Sequence, residues 1–355
     1  MILTLVFGGK REQKEIKMKY SRKMVTVLCY LTLIFSLVAC TSPTNNPSAF
    51  NDANLLTTSV EGEKTAVEDV QTSVTEVLQT STGVTEYPLT ITDSEDHVIT
   101  FEIEPTKVVS MAPNITEIIY QLGLQSKLVG RTDYCDYPQE VLNIESVGTM
   151  RSPDIEKIVS LEPDVVIAST HFSEEATSKL TSLGIKVIIL YEQHEIEGVY
   201  STIETIGTIF NVKESASTTV NEMKTSIANT ITHIEGLDKP SVYYVVGFGE
   251  YGDYTAGGDT FISQMITLAG GNNIAQNLSG WSYSLESLVE ADPDIIIIPE
   301  EMKADFEIAP NYKDLTAVKK HRVFGINKNL LERQGICNAE GVRVLAEIIH
   351  PEGFK

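Results

Sequence analysis

"SPDIEKIVSLEPDVVIAS" occupies Ser152–Ser169, and "SYSLESLVEADPDIIIIPE" occupies Ser282–Glu300. The two stretches follow one plan. A capping residue (Asp154, Ser284) precedes an aliphatic, a glutamate (Glu156, Glu286) and a few more aliphatics. A Pro-Asp pair and a β-branched run follow. The offset is 130 residues for both the leading serines and the glutamates. Asp or Ser before an amphipathic turn reads as a helix N-cap, and a short aliphatic run after Pro-Asp reads as a buried strand. The chain therefore states the same helix–strand unit twice.

Working outward, each copy sits in its own series. "YPLTITDSEDHVITFEI" alternates apolar and polar residues around a turn at Ser94–Asp96, so it predicts a hairpin. "KVVSM" reads as a strand and "NITEIIYQLGL" as a helix, with Asn114 as N-cap, Glu117 at the third position and Gly123 at the stop. "KLVG", "DVVIAS" and "KVIILY" read as strands, separated by "SPDIEKIVSLEP" and "ATSKLTSLG" as helices. The second series runs "SVYYVVG", "TFISQMITLAGG", "SLESLVEADP", "DIIIIPE", "RVFGI" and "NAEGVRVLAEIIH". Alternation of strand and helix predicts two similar α/β lobes with mostly parallel sheets. Between them lie "IEGVYSTIETIGTIFN" and a stretch from Lys213 to Leu237. The latter places Ala216, Val220, Met223, Ile227, Ile231 and Ile234 on one stripe. A helix of that length spans roughly 35 Å and suits a strut between lobes, or an extra helix in either one.

The bulk numbers fit this plan. At 355 residues the chain is long for one core and comfortable for two. Its formal charge of −22 is uneven: residues 1–39 carry seven Lys/Arg against two Asp/Glu, net +5, which leaves −27 on the remainder. Such a surface repels phosphate backbones and argues against nucleic-acid binding. Lys17, Lys19, Arg22 and Lys23 precede the apolar run "VTVLCYLTLIFSLVA", the layout of a signal peptide over residues 1–39, with Met18 as a plausible start. The run ends on "LVAC", followed by "TSPTNNPS". This resembles a bacterial lipobox, which makes Cys40 the lipidated first residue of an exported protein held at the outer face of the cell membrane. Residues 40–86 are rich in Thr, Ser and Asn, show no lasting period, and read as a disordered tether. The expected division is then 87–195 for the first lobe, 196–238 for the helical connection and 239–355 for the second lobe. Cys135 and Cys337 follow different strands and are expected as unpaired thiols.

Chemistry-bearing patterns are sparse. Gly247, Gly249 and Gly252 form a literal G-x-G-x-x-G, but no helix opens on the third glycine, as a dinucleotide site requires. No G-x-S-x-G or H-E-x-x-H occurs, so no catalysis is expected, and neither a metal nor a cofactor of the protein's own. The six histidines are scattered and none shows ligand spacing; His171 follows the strand "DVVIAS" and could face a cleft, although an exposed-loop histidine is more often simply solvated. Ligands of open α/β sheets bind beyond the carboxyl ends of the strands. The loops there carry Met111, Pro113, Asn114, Arg131, Tyr134 and Phe172 in the first lobe, and Tyr251, Tyr254, Trp281, Glu332 and Arg333 in the second. Aromatic and polar residues facing one another across a cleft suit a large, flat, partly apolar ligand, although ordinary turn chemistry also uses these residues. Glu156 and Glu286 complement their helix dipoles. As a matched pair, they also offer a pseudo-twofold partner two acidic points that arginines can meet.

From Tyr87 to Lys355 the chain resembles class III substrate-binding proteins of ABC importers, the group that captures cobalamin, haem and iron–siderophores. "YPLTITDSEDHVITFEIEPTKVVSMAPNITEIIYQLGL", "SPDIEKIVSLEPDVVIAS" and "IIHPEGF" carry the resemblance. It implies the class III periplasmic binding protein fold: two Rossmann-like lobes joined by one long helix, with ligand in the cleft. It also implies that Glu156 and Glu286 dock onto arginines of an ABC permease dimer and its ATPase, and that the chain works as a monomer. "VGRTDYCDYP" is similar to the cobalamin branch, with Tyr134 placed to stack on a cobalt corrinoid and Trp281 as an aromatic wall. Met150 and Ser169 stand where well-known cobalamin binders carry tryptophan, and "NLLERQGICNAEG" replaces the usual Pro-Gly-Pro-Arg run. Within the same class, a ferric siderophore would favour Arg131 and Arg333 as anion partners, and haem would favour Tyr, His or Met ligation.

Overall fold

Two four-stranded parallel sheets organise the chain. The computed structural model describes residues 83–191 and 194–355, so the expected signal peptide, Cys40 and most of the tether lie outside the described residues. The first sheet contains β3 (Val108–Ser110), β4 (Leu128–Arg131), β5 (Val165–Ala168) and β6 (Lys186–Ile189), ordered β4-β3-β5-β6. Before it comes the hairpin β1 (Leu89–Thr92) and β2 (Val98–Phe101), paired from Leu89↔Phe101 to Thr92↔Val98. Helices α1 (Pro113–Gln121), α2 (Ile155–Ser160) and α3 (Glu174–Ser182) connect the strands. Two helices follow, α4 (Ile196–Ile209) and α5 (Lys213–His233).

The second sheet contains β7 (Ser241–Tyr244), β9 (Asn272–Asn273), β11 (Ile295–Pro299) and β12 (Val323–Ile326), ordered β12-β11-β7-β9. A small ribbon pairs β8 (Asp253–Tyr254) with β10 (Ser282–Tyr283). Helices α6 (Phe261–Leu268), α7 (Leu285–Ala291), α8 (Lys303–Ile308), α9 (Thr316–Lys319), α10 (Asn329–Glu332) and α11 (Asn338–Ile349) complete the chain. Read from the β9 edge, the second sheet runs β9-β7-β11-β12 and matches β4-β3-β5-β6 strand for strand. The repeated motif supplies α2–β5 in one sheet and α7–β11 in the other.

The Pro-Asp pair has a local task that explains its repetition. Asp164 Oδ2 accepts from Thr106 N (2.7 Å), Thr106 Oγ1 (2.8 Å) and Lys107 N (2.9 Å), just before β3. Asp294 Oδ2 accepts from Ser241 N (2.9 Å) and Ser241 Oγ (2.6 Å), at the start of β7. Each aspartate thus opens one central strand and pins the start of its neighbour. Partial burial raises the Asp164 carboxyl, but the Thr106 and Lys107 amides outweigh it and hold the group below the usual carboxylate range. The Ser241 hydroxyl and amide lower Asp294 in the same way.

Strand alternation sorts the core. Val166, Ala168 and Ile158 pack on the outer side of the first sheet, and Ile296, Ile298 and Leu288 on the outer side of the second. Val165, Ile167, Ile295 and Ile297 face the other way and join one continuous apolar cluster with α1, α4, α5, α6 and α11. Ala216, Val220, Met223 and Ile227 carry α5 into that cluster. The helix ends at His233, short of the expected Leu237, and Ile231 is 41% exposed, so the buried stripe uses Thr230 at that turn instead. The folded part begins within the expected tether: Thr85 Oγ1 donates to Thr208 O (2.8 Å), and Tyr87 Oη donates to Ile209 O (2.8 Å).

One expectation fails at the start of α1. Its N-cap is Ala112, Pro113 takes the first helical position, and no side chain caps the end. Asn114 and Glu117 reach across to the second lobe instead. Asn114 Nδ2 donates to Gln334 O (3.0 Å). Glu117 Oε1 accepts from Arg333 Nη1 (2.8 Å), while Arg333 Nη2 donates to Asp136 Oδ1 (2.8 Å). Pro at the first position needs no donor partner, and a neighbouring arginine is a stronger partner than a free helix amide. Burial pushes the Glu117 carboxyl upward, and the Arg333 guanidinium beside it pulls the other way. Cys135 and Cys337 are both free, as expected; Cys337 Sγ lies 3.7 Å from Glu117 Oε2.

Glu117 is 4% exposed and Arg333 15% at the side chain, so removing one partner strands a buried charge. We expect Arg333→Met to cost about 3 kcal/mol in urea unfolding. Arg333→Met combined with Glu117→Gln should recover most of that loss. A single variant as stable as wild type would show that the pair does not hold the lobes.

Candidate functional site

A cavity of about 850 Å³ lies between the carboxyl edges of the two sheets. The first lobe contributes Pro113, Asn114, Tyr134, Met150 and the run Ser169–Phe172; the second contributes Asp259–Ile262, Trp281 and Leu331–Gln334.

Each wall is built by local bonding. Tyr134 projects from a turn after β4, in which Cys135 N donates to Thr132 O (3.1 Å) and Asp133 N donates to Gly148 O (2.8 Å). Beneath it, Cys135 is buried 3.1 Å from Thr116 Oγ1 on α1, while Tyr134 itself is half exposed. Trp281 is positioned by glycine. Gly258 N donates to Leu278 O (2.8 Å) and Gly257 N to Gly280 O (2.9 Å), and a Cβ on Gly258 would fall 1.8 Å from Gln276 O. The Asp259 carboxylate holds the same loop through Gly280 N (2.8 Å) and the Ser279 hydroxyl. The hairpin turn closes a further side: buried Asp93 accepts from Ile189 N (3.0 Å), and Tyr191 Oη then donates to Glu95 Oε1 (2.7 Å).

Of the sequence-selected residues, the structure brings Pro113, Asn114, Tyr134, Phe172, Trp281, Glu332 and Arg333 together on this cavity. Four others lie elsewhere. Met111 is fully buried in the outer core of the first lobe, because β3 geometry continues one residue further and turns its side chain to that face. Arg131 donates to Val141 O (3.1 Å) and Thr132 O (2.9 Å), and so caps a loop at the end of β4. Tyr254 lies in the β8–β10 ribbon over Gly247, its hydroxyl donating to Tyr251 O (3.0 Å), and Tyr251 is 86% exposed at the loop tip. The literal glycine fingerprint thus shapes this hairpin, with Gly249 and Gly252 at positive φ and no helix following.

Sequence reasoning missed Tyr191, His194, Asp259, Thr260 and Phe261; it pointed to the loop Thr170–Phe172 without choosing Thr170, and it favoured a solvated His171 over a cleft-facing one; all line the cavity. Only their position after strand ends or at a helix start signals this in sequence. The charges around the cavity are mostly acidic: Glu95, Asp259 and Glu332 against Arg333. Arg333 is already shared by Glu117 and Asp136. Glu332 accepts from Tyr244 Oη (3.1 Å), and burial raises its carboxyl.

Outside the cavity, Glu156 and Glu286 are exposed at the second positions of α2 and α7. Asp154 Oδ1 accepts from Lys157 N (3.0 Å), and Ser284 Oγ accepts from Ser287 N (3.0 Å), so both caps form as expected. Neither glutamate makes an ion pair among the described residues. Because helices run antiparallel to the strands they connect, both N-termini lie at the sheet edges that carry the cavity.

Comparison with known proteins agrees with this geometry. A family model for periplasmic binding proteins matches residues 108–330. The chain is 35% identical over 277 residues to the uncharacterised ABC transporter substrate-binding lipoprotein YvrC of Bacillus subtilis, covering 76% of this chain and 88% of that one. It is 28% identical over 279 residues to a cobalamin-binding protein of Halobacterium salinarum, covering 74% of each. The crystal structure of a possible iron-binding (periplasmic solute-binding) protein from Staphylococcus epidermidis superposes with a TM-score of 0.63 at 27% identity, covering 70% of this chain and all of that one. With two matched parallel sheets, a cavity between their carboxyl edges and these similarities, this chain belongs to the periplasmic binding protein family.

Proposed function

We propose that this protein is the substrate-binding component of an ABC importer and captures a corrinoid in the cavity between its lobes. The observation that carries the ligand assignment is the composition of the walls. Tyr134, Phe172 and Trp281 supply flat apolar surface from both lobes, with amide, hydroxyl and carboxylate groups between them. A corrin ring has two broad apolar faces and a rim of amides, and it meets such walls by stacking and hydrogen bonding. The charge balance points the same way. Among the described residues Arg333 is the one Lys or Arg on the cavity, and its fork is already occupied. Arg131, the other cation expected to meet an anion, is bonded to carbonyls away from it. An anionic ferric complex would therefore meet mainly carboxylates. The Halobacterium relative bears the name of a cobalamin-binding protein.

The cobalt arrives as cargo, and the corrinoid is bound and released without being converted into another compound. Lipidation of Cys40 would hold the protein at the outer face of the cell membrane. Glu156 and Glu286 would meet arginines on a permease dimer. Met150 stands six residues before Glu156, and Trp281 five before Glu286, so each docking helix is joined to a cavity wall by a short segment. A second reading keeps the role and changes the cargo to a ferric siderophore or haem; the possible iron-binding protein of Staphylococcus epidermidis favours it.

Calorimetric titration of the purified protein separates the two. We expect one-to-one binding of cyanocobalamin and none of a ferric hydroxamate or haemin; the reverse pattern would replace the corrinoid assignment with the second reading. Trp281→Ala should weaken corrinoid binding by about 10-fold or more, as the loss of a large stacked ring in a binding site does. An unaltered dissociation constant would place Trp281 outside the contact. Glu156→Ala with Glu286→Ala should leave that constant unchanged and abolish corrinoid-dependent growth of a strain that relies on this importer. Normal growth of the double variant would remove the two glutamates from docking.

A further inference from the structure

His171 is unlike the other histidines of this protein. Ser169–Phe172 leads from β5 to α3, and all four residues line the cavity. His171 adopts φ 67° there, in the left-handed region that side chains generally avoid. Among the described residues five other non-glycine residues share that region: Asp96 lies in the hairpin turn, and Glu162, Asn211, Asp292 and His321 stand just past helix ends. His171 alone of the six is on the cavity. The fold bears the cost of this conformation without an evident local return, since the imidazole has no hydrogen bond, ion pair or ring contact among the described residues. By contrast, His194, also on the cavity, is bonded through Nδ1 to Asp259 O. A strained, unpartnered base on a binding wall is an observation that calls for a ligand.

The surroundings narrow what that ligand is. Imidazole is a good donor to transition metals. Yet the described residues contain no group of three His, Cys, Asp or Glu able to hold a free metal ion. A single donor suits a metal that already has most of its ligands, as at the centre of a planar macrocycle, where only an axial position is open. Phe172, the next residue, and Tyr134 provide apolar surface beside it.

We propose that His171 is an axial ligand to the cobalt of the bound corrinoid. This deepens the corrinoid reading and rests on it. An imidazole nitrogen donates its lone pair to Co(III), the water on that face leaves, and the cobalt keeps its oxidation state. Selectivity follows: corrinoids with an exchangeable axial water gain a bond that cyanocobalamin, blocked by cyanide and its own base, does not.

The purified full-length protein would be mixed with diaquocobinamide or with cyanocobalamin, and binding followed by calorimetry beside the visible spectrum. Wild type should bind both and red-shift only the diaquocobinamide bands, as imidazole replaces water. The shift should vanish in His171→Ala and in His171→Asn, the second of which tolerates the left-handed backbone. It should persist in His321→Ala, whose imidazole lies off the cavity past the end of α9. Binding of diaquocobinamide by wild type with an unshifted spectrum would overturn the assignment, as would a shift that survives in both His171 variants. If neither corrinoid binds, the corrinoid reading itself falls, and the axial ligand with it.

Discussion

One apolar core runs beneath both sheets, and the binding geometry depends on it. The inner faces of β5 and β11 share that core with α4, α5, α6 and α11. Drawing the lobes apart would expose it, at about 25 cal/mol for each Å² of apolar surface returned to water. The helix α5, 21 residues long, lies in the same core rather than standing free between the lobes. The cavity therefore sits between two walls fixed relative to one another, and ligand entry has to be met mainly by loops. Arg333 and Asn114 reinforce that relation at the mouth, where the second lobe reaches the start of α1.

Duplication explains how one design serves two walls. The same capped helix, Pro-Asp latch and β-branched strand occur in both sheets, and the strands match in order. Asp164 and Asp294 perform the same latch with different donors. Symmetry ends above the strand ends. Tyr134 is held by a turn built on Thr132 and Cys135, whereas Trp281 is held by a glycine pair and a carboxylate. Shared architecture thus places the two capped helices, α2 and α7, alike, while unlike loops give the cavity two different faces.

The cavity combines stacking surface, acid-rich polarity and one paired arginine. In that setting a neutral or cationic planar ligand loses little on entering, whereas an anion would have to displace Glu117 or Asp136 from Arg333. His171 adds an imidazole to that wall, on a backbone in the left-handed region.

Local sequence determined a good deal by itself. The repeat, the alternation of strand and helix, the caps at Asp154 and Ser284 and the stop at Gly123 depend on neighbours a few residues apart, and each is present in the structure. Tertiary structure decided where side chains with more than one use were spent. Asn114 and Glu117 carry a capping pattern, yet a proline at the first helical position and an arginine 216 residues away drew them across the cleft. Met111, Arg131 and Tyr254 stand at strand ends like true wall residues, but a core face, a loop carbonyl and a glycine hairpin took them. His171 shows the reverse: an ordinary loop histidine in sequence, it gains meaning only from its left-handed backbone and the cavity beside it. Propensity acts between neighbours along the chain, whereas partners such as Arg333 and Glu117 are chosen by packing that no local pattern encodes.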